Sequence, residues 1–366
     1  MKVKDIAAIL ETFAPLVYQE SYDNCGLQVG NSNAEVEQAL ITLDITEEVM
    51  KEAESNGCNL VIAHHPVIFS GLKKITGRNY VERIVEMAIK KDIAIYALHT
   101  NLDNMLHGVN AMIASKLGLE NTSILAPKQN TLSKLYTYVP KDAVEKVRTA
   151  LFFAGAGSVG KYEECSFNVE GKGSFKPQQD ANPTIGKAGG PIEWVEEIKL
   201  EVLVQQHQEA KVLQALFASH PYEEVAYELI PLRNTNQDIG AGVVGILQNE
   251  MTENDFLKFL RNKMNVACIR HTEFLDKPVK KVAVCGGSGS FLLKEAVASG
   301  ADVFITADYK YHQFFDAEKK IIIADIGHYE SEQFTKELIQ EILTEKIPTF
   351  ATLLSKTDTN PVKYFY

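Results

Sequence analysis

Short apolar runs alternate with amphipathic stretches through roughly the first 125 residues. Apolar spacing predicts a helix over Asp5 to Phe13, then the turn-rich segment SYDNCGLQVGNSN and a strand from Ala39 to Ile45. Thr46 is placed to cap the next helix, with Glu47 and Glu48 in a first turn whose free N–H groups favour acids. That helix ends near Gly57. A strand from Leu60 to Ala63 runs into His64 and His65; a helix from Val81 to Lys91 leads to a strand from Ile93 to Leu98, which runs into His99 and TNLDNMLHG. Uniformly apolar short strands between helices predict a parallel sheet covered on both faces.

The rhythm changes between residues 128 and 238. Strand LYTYV, a helix from Ala143 to Phe153, a strand-turn-strand around SFNVEGKGSF, strand LEVLVQ, a helix from Glu209 to Ala218 and strand VAYELIPL give the order β-α-β-β-α-β, a ferredoxin-like signature. The Gly- and Pro-containing ANPTIGKAGGP is expected to be a mobile loop. From 239 to 366 the βα rhythm returns: strand VVGIL, a helix from Asp255 to Lys263, strand KVAVC, the turn GGSGS, a helix from Phe291 to Ser299 and strand VFITA. A short helix near His312, a strand from Ile321 to Asp325 and a long helix after Gly327 follow. The expected organisation is an α/β domain whose halves, 1–127 and 239–366, are split by an inserted α+β domain, 128–238. At about 150 residues per domain, 366 residues suit two or three domains.

Composition narrows the function classes. A net charge of −11 provides no global basic field for nucleic acid. Five cysteines without a CxxC pair indicate neither a disulfide framework nor a thiolate zinc site. No run approaches the ~20 apolar residues of a membrane span, and the N-terminal segment lacks the h-region of a signal peptide. The expectation is a reduced, cytoplasmic protein.

The chemistry-bearing residues follow strands, where open α/β sheets form their ligand crevices. VIAHHP puts His64 and His65 after one strand, HTNLD puts Asp103 after another, and IADIGHYESEQF sets His328 and Glu332 four apart at a helix start. Imidazoles and carboxylates suit zinc, iron or manganese. Taken singly, each has an ordinary reading: neighbouring histidines in an extended chain face opposite sides, and His328 with Glu332 is an i,i+4 pair. Their joint position after strands of one inferred sheet outweighs that.

The ordered set SYDNCGLQVG, ITLDIT, VIAHHPVIF, LHTNLDN, GVVGIL, VCGGSGS, ITADYKYH and DIGHYESE resembles the Nif-three-like family, whose members are labelled GTP cyclohydrolase I type 2 homologues. The resemblance covers roughly residues 1–125 and 239–366, and the insertion matches the longer bacterial members. It implies a dinuclear metal site at His64, His65, Asp103, His328 and Glu332. It also implies a ring-shaped homohexamer with sites facing an inner cavity, and an insertion similar to PII and CutA domains.

Two functions follow. One is a metal-dependent hydrolase, GTP cyclohydrolase-like by resemblance, with two divalent ions per chain and Glu332 as metal bridge or general base. Zinc is the expected ion, with iron or manganese compatible, and the substrate is a small polar molecule such as a nucleotide. The alternative is a non-catalytic metal-binding scaffold or regulator acting through its PII-like domain. His99 and His107 could orient ligands or be plain loop polarity. GGSGS lacks the residues of a nucleotide fingerprint and reads as a strand-to-helix turn, although the Gly287 to Ser290 amides could hold a substrate anion. Cys25 and Cys285 read as ordinary thiols, Asp23 and Asn24 as turn formers, and SHPYEEVAYE as packing or subunit contact.

Overall fold

Strands buried on both sides need two apolar faces, and Leu40–Ile41, Val61–Ile62 and Ile95–Tyr96 supply them by sending successive side chains to opposite clusters. A computed structural model describes residues 1–365 and divides them into two compact units, 1–127 with 237–365, and Lys128–Asn236. Among the described residues no helix is long and apolar enough to cross a membrane.

The first unit is mixed α/β and holds two sheets. One has the strand order Gly26–Val29, Ala94–Ala97, Leu60–Ala63, Gln38–Thr42, Ala351–Leu354; its strands run parallel except Gly26–Val29, which lies antiparallel at one edge. The other has the order Arg270–His271, Ile322–Asp325, Val303–Ala307, Val279–Ser288, Gly240–Met251, Leu119–Pro127, with a parallel centre and antiparallel flanks. Ile41, Ile62 and Tyr96 of the first sheet share one core with Val243, Val282 and Ile305 of the second. Ile6, Leu10, Ile113 and Ile339 from three helices complete that core. The outer face of the first sheet packs on the helices Glu47–Ser55 and Tyr80–Lys91, and that of the second on Leu293–Ala298. Each fully buried Val, Leu or Ile contributes about 1.5–3 kcal/mol, so this three-way packing fixes the strand ends firmly.

Several sequence expectations change here. The candidate ligands follow strands of two sheets, not one, because an apolar run shows that a strand is buried without showing which sheet it joins. The long helix after Gly327 is two helices, His328–Glu332 and Thr335–Lys346. The chain turns between them at Gln333, whose amide donates to the carbonyls of Met264 (2.8 Å) and Glu330 (3.0 Å). The helix from Phe291 begins as a 3-10 turn, Ser290–Leu292, and that near His312 is 3-10 throughout. Thr46 does cap its helix, accepting from the Val49 N–H at 3.2 Å, an interaction worth about 1 kcal/mol.

The second unit is a four-stranded antiparallel sheet ordered Ser166–Phe175, Glu193–Gln205, Leu132–Pro140, Tyr227–Leu232, with helices Val144–Phe153 and Glu209–Ser219. SFNVEGKGSF is one continuous strand, not a strand-turn-strand: all ten residues pair with Glu193–Val202, which overrides its glycines. Leu135, Val139, Leu151, Leu200 and Leu216 form this unit's own core.

After the Ala351–Leu354 strand, the C-terminal tail is tied down by Glu52. Burial works against that charge. The Lys356 N–H and the Ser355 and Thr357 hydroxyls, all donating to it, hold the carboxyl below its usual range. A carboxyl depressed in the folded state stabilises fully above its unfolded pKa of about 4.3, and that stabilisation drains as pH falls through the lower folded value. Glu52→Gln should therefore lower Tm at pH 7, with the gap to wild type closing by about pH 3. A gap unchanged between those pH values in calorimetry would show that the charge does not hold the tail.

Candidate metal centre

His64 and His65 directly follow the Leu60–Ala63 strand, Asp103 ends the short helix Thr100–Asp103 beyond the Ala94–Ala97 strand, and His328–Glu332 is the helix after Ile322–Asp325. Because the strand ends at Ala63, the two adjacent histidines need not face opposite ways, and their ring centroids lie 4.8 Å apart. Both carboxylate oxygens of Glu332, which is 3% exposed, are engaged. Oε2 is 3.0 Å from His65 Nε2 and 3.2 Å from His328 Nε2, and Oε1 is 3.8 Å from His64 Nε2. Asp103 Oδ1 stands 3.7 Å from the same His64 nitrogen. The structure thus brings all five sequence-derived candidates together.

Three triads have ligand atoms within 4.8 Å of one another and could hold a metal ion: His65 with His328 and Glu332, His64 with Asp103 and Glu332, and His64 with His65 and His99. The donor set fits a cation on a second ground. His64 Nε2 and Asp103 Oδ1 are buried without a hydrogen-bond partner, and leaving such groups unsatisfied costs about 1–3 kcal/mol each. Two unmatched acceptor-type atoms facing each other are what a cation between them would satisfy.

The imidazoles are aimed by their other nitrogens. His65 Nδ1 bonds Asp44 (2.7 Å), His328 Nδ1 bonds Asp308 (2.7 Å), His99 Nδ1 bonds Asp23 (2.8 Å) and His64 Nδ1 bonds the Leu98 carbonyl (2.8 Å). Each ring therefore directs Nε2 inward, the usual arrangement around metal-ligating histidines. Burial would lower the His65 pKa, but Asp44 and Glu332 on its two nitrogens push it up to about 10. His328 rises against burial to about 11 through the charge of Glu332 and its bond to Asp308. Glu332 is held well below the carboxylate range despite burial, chiefly by His328, whereas burial and the charge of Glu332 push Asp103 up to about 7. A cleft of about 780 Å³ opens over the cluster, with Tyr22, Phe69, Arg270, Phe291 and Tyr364 in its walls.

The Duf34/NIF3 (NGG1p interacting factor 3) family profile matches residues 1–361. The chain belongs to this family. It is 42% identical to the GTP cyclohydrolase 1 type 2 homolog of Bacillus subtilis (strain 168), over 99% of this chain and 98% of the relative. It is 38% identical to the like-named protein of Staphylococcus epidermidis over the full length of both. Among solved structures, the Bacillus cereus protein related to NIF3 matches with TM-score 0.86 and 39% identity, covering 100% of this chain and 99% of that one. Staphylococcus aureus protein SA1388 matches with TM-score 0.79 and 33% identity over the same shares.

In this NIF3-family chain the remaining candidates separate clearly. His99 stands in the cluster; His107 is exposed and lies outside the residues lining the cleft. Asp23, for which turn chemistry is favoured over a hydrogen bond to a ligand, accepts from Thr100 as well as bonding His99. Asp44 and Asp308 were not singled out, although each follows a strand, in LDIT and TADY; their role depends on contacts 20 or more residues away in sequence. Burial pushes the Cys25 thiol up to about 12 and also raises Cys285, in line with inert thiols.

GGSGS is not all turn as expected: Gly286–Ser288 extend the Val279–Ser288 strand, and Ser290 already begins the 3-10 turn. The Gly287 N–H donates to Ser331 Oγ (2.9 Å), which removes it from the anion cradle expected over Gly287 to Ser290, and the neighbouring Gly286 N–H donates to Asn110 Oδ1 (2.8 Å). Gly287 sits at φ +60°, and a Cβ there would lie 2.4 Å from Glu332 Oε1. Gly287→Ala should therefore displace the carboxylate and strain the backbone, lowering stability by about 1–3 kcal/mol and reducing bound metal. Calorimetry and elemental analysis check this; a variant with wild-type Tm and metal content would show that Glu332 does not need the bare backbone.

Proposed function

We propose that this chain is a dinuclear divalent-metal protein acting as a metal-dependent hydrolase, with zinc as resident ion and iron or manganese compatible with the same donors. The carrying observation is that two candidate triads meet at Glu332, one through each of its oxygens. In this reading His64, Asp103, His65, His328 and Glu332 would hold the ions, with Glu332 shared by both candidate triads. Bound ions supply Lewis acidity toward a substrate oxygen and acidify coordinated water. Asp44 and Asp308 keep His65 and His328 in the ligating tautomer, and the cleft's aromatic walls suit a planar ring. The names of the curated relatives make GTP the first substrate to try.

Protein purified without added metal should carry two ions per chain, and His64→Ala, Asp103→Ala and His328→Ala should each lose occupancy. Full occupancy in all three would sink the site. Glu332→Gln keeps the shape but loses the charge, so it should lose metal and lower kcat at least ~10²-fold on GTP, other nucleotides or phosphoesters. Turnover surviving both chelation and Glu332→Gln would remove the hydrolase reading. Full metal with no turnover on this panel would favour the non-catalytic regulator.

We further read residues 128–238 as an inserted ferredoxin-like domain of PII/CutA type and the assembly as a homohexamer. Support for the insertion comes from Pro127 and Gly240, which face each other across one antiparallel ladder, so the chain leaves and re-enters at adjacent positions. The hexamer rests on the family resemblance, and a closed ring needs only contacts whose rotation closes. Light scattering should give about six times the 40.7 kDa chain mass. Replacing 128–238 with a short Gly/Ser linker should leave metal content intact. A monomer at micromolar concentration, or metal lost from a folded shortened chain, would reject the respective reading.

A further inference from the structure

The second unit contains a cavity of about 460 Å³ that the metal chemistry does not use. It lies between the Gly173–Gln178 segment, the Ala181–Ile185 loop and the Tyr222–Glu224 turn of SHPYEEVAYE. Its wall includes Glu197, a carboxylate 9% exposed on the strand Glu193–Gln205. Glu197 Oε1 accepts from the Tyr222 hydroxyl at 2.7 Å, while Oε2 has no hydrogen-bond partner among the described residues. Oε2 instead lies against bare backbone, where a Cβ on Gly173 would stand 2.1 Å from it.

Among the described residues no Lys or Arg of this unit forms an ion pair with Glu197, although so buried a carboxylate calls for a counter-charge. His220 is adjacent, but its Nδ1 accepts from the Tyr222 N–H (3.2 Å) and its Nε2 donates to the Tyr138 carbonyl (3.1 Å), which is the neutral tautomer. Burial lowers its pKa accordingly. Lys141 and Lys199 are paired with Glu170, Glu196 and Glu201 instead. Burial and Glu197 push the Tyr222 phenol up, so it stays a donor and adds no charge. Glu223 and Glu224 add two further carboxylates to the cavity lining, against the single cation Lys176. Phe175 and Tyr222, with centroids 6.2 Å apart, present rings of the kind that attract cations with their faces.

We propose that this cavity binds a small organic cation, an amine or guanidinium, whose charged head docks on the free oxygen of Glu197. The occupant is a small molecule, because Glu197 and the Ala181–Ile185 loop line one cavity of about 460 Å³. Neither the metal centre nor turnover enters the argument, so the site stands whether or not the hydrolase reading does.

Calorimetric titration of the full-length protein with agmatine, putrescine and butyrate tests it. At least one of the two cations should bind with Kd of about 1 mM or tighter, and the anion should not bind. Glu197→Gln, which keeps the shape, should weaken that binding at least ~10-fold, the scale of a charged hydrogen bond. Ile185→Trp, which narrows the cavity without touching the carboxylate, should weaken it as well. Absence of binding by both cations up to about 10 mM, or butyrate binding as well as they do, overturns the proposal. So does wild-type affinity in a folded Glu197→Gln. Should that variant fail to fold by circular dichroism, unchanged affinity in Ile185→Trp overturns it instead.

Discussion

A carboxylate that is almost fully buried yet remains ionised dictates its surroundings, and Glu332 is that carboxylate. Transferring such a charge from water costs several kcal/mol unless positive charge and hydrogen bonds meet it. His65 and His328 turn their rings to it, and its charge helps raise them to about 10 and about 11, while burial and the same charge push Asp103 up to about 7. Protons alone leave the balance incomplete, since His64 Nε2 and Asp103 Oδ1 stay unmatched. These two polar atoms lie in triads whose ligand atoms could hold a metal ion.

Holding those groups in place takes both sheets. His64, His65 and Asp103 are delivered by carboxyl ends in the first, His328 and Glu332 by one in the second. Their spacing therefore depends on the core the sheets share, where a missing methylene is felt because packing is dense. Two residues at the junction adopt positive φ. Asp308 adopts φ +59° while bonding His328, and Gly287 at φ +60° admits Glu332. Backbone in these conformations costs of order 1 kcal/mol outside glycine, and it persists here because surrounding contacts fix it.

Much of this was legible in the chain itself. The strands Leu60–Ala63 and Val303–Ala307 match their apolar runs residue for residue, and the five candidate ligands follow strands as expected. Three things were not legible, each for a physical reason. Apolar continuity reports burial on two faces and is silent about sheet membership, so one sheet was inferred where two exist. SFNVEGKGSF carries two glycines that locally favour a turn, yet ten ladder partners from Glu193–Val202 outweigh them. Asp44 and Asp308 look like any acid after a strand; what distinguishes them is an imidazole nitrogen reached only through the tertiary fold.

The tail shows how far that network extends. Ala351–Leu354 adds an edge strand to the first sheet beside Gln38–Thr42, and Glu52 secures the residues that follow. From there Thr359 donates to Asp44 Oδ2 at 2.7 Å, while Asp44 Oδ1 takes His65 Nδ1. Asn360 donates to Glu330 on the helix that carries His328 and Glu332. One carboxylate, Asp44, thus joins the tail to a candidate ligand, and Asn360, Pro361, Val362 and Tyr364 of the same tail line the cleft. Thr359 and His65 therefore occupy the two oxygens of a single planar group, so the segment that walls the cleft also contacts the carboxylate that aims the ligand ring.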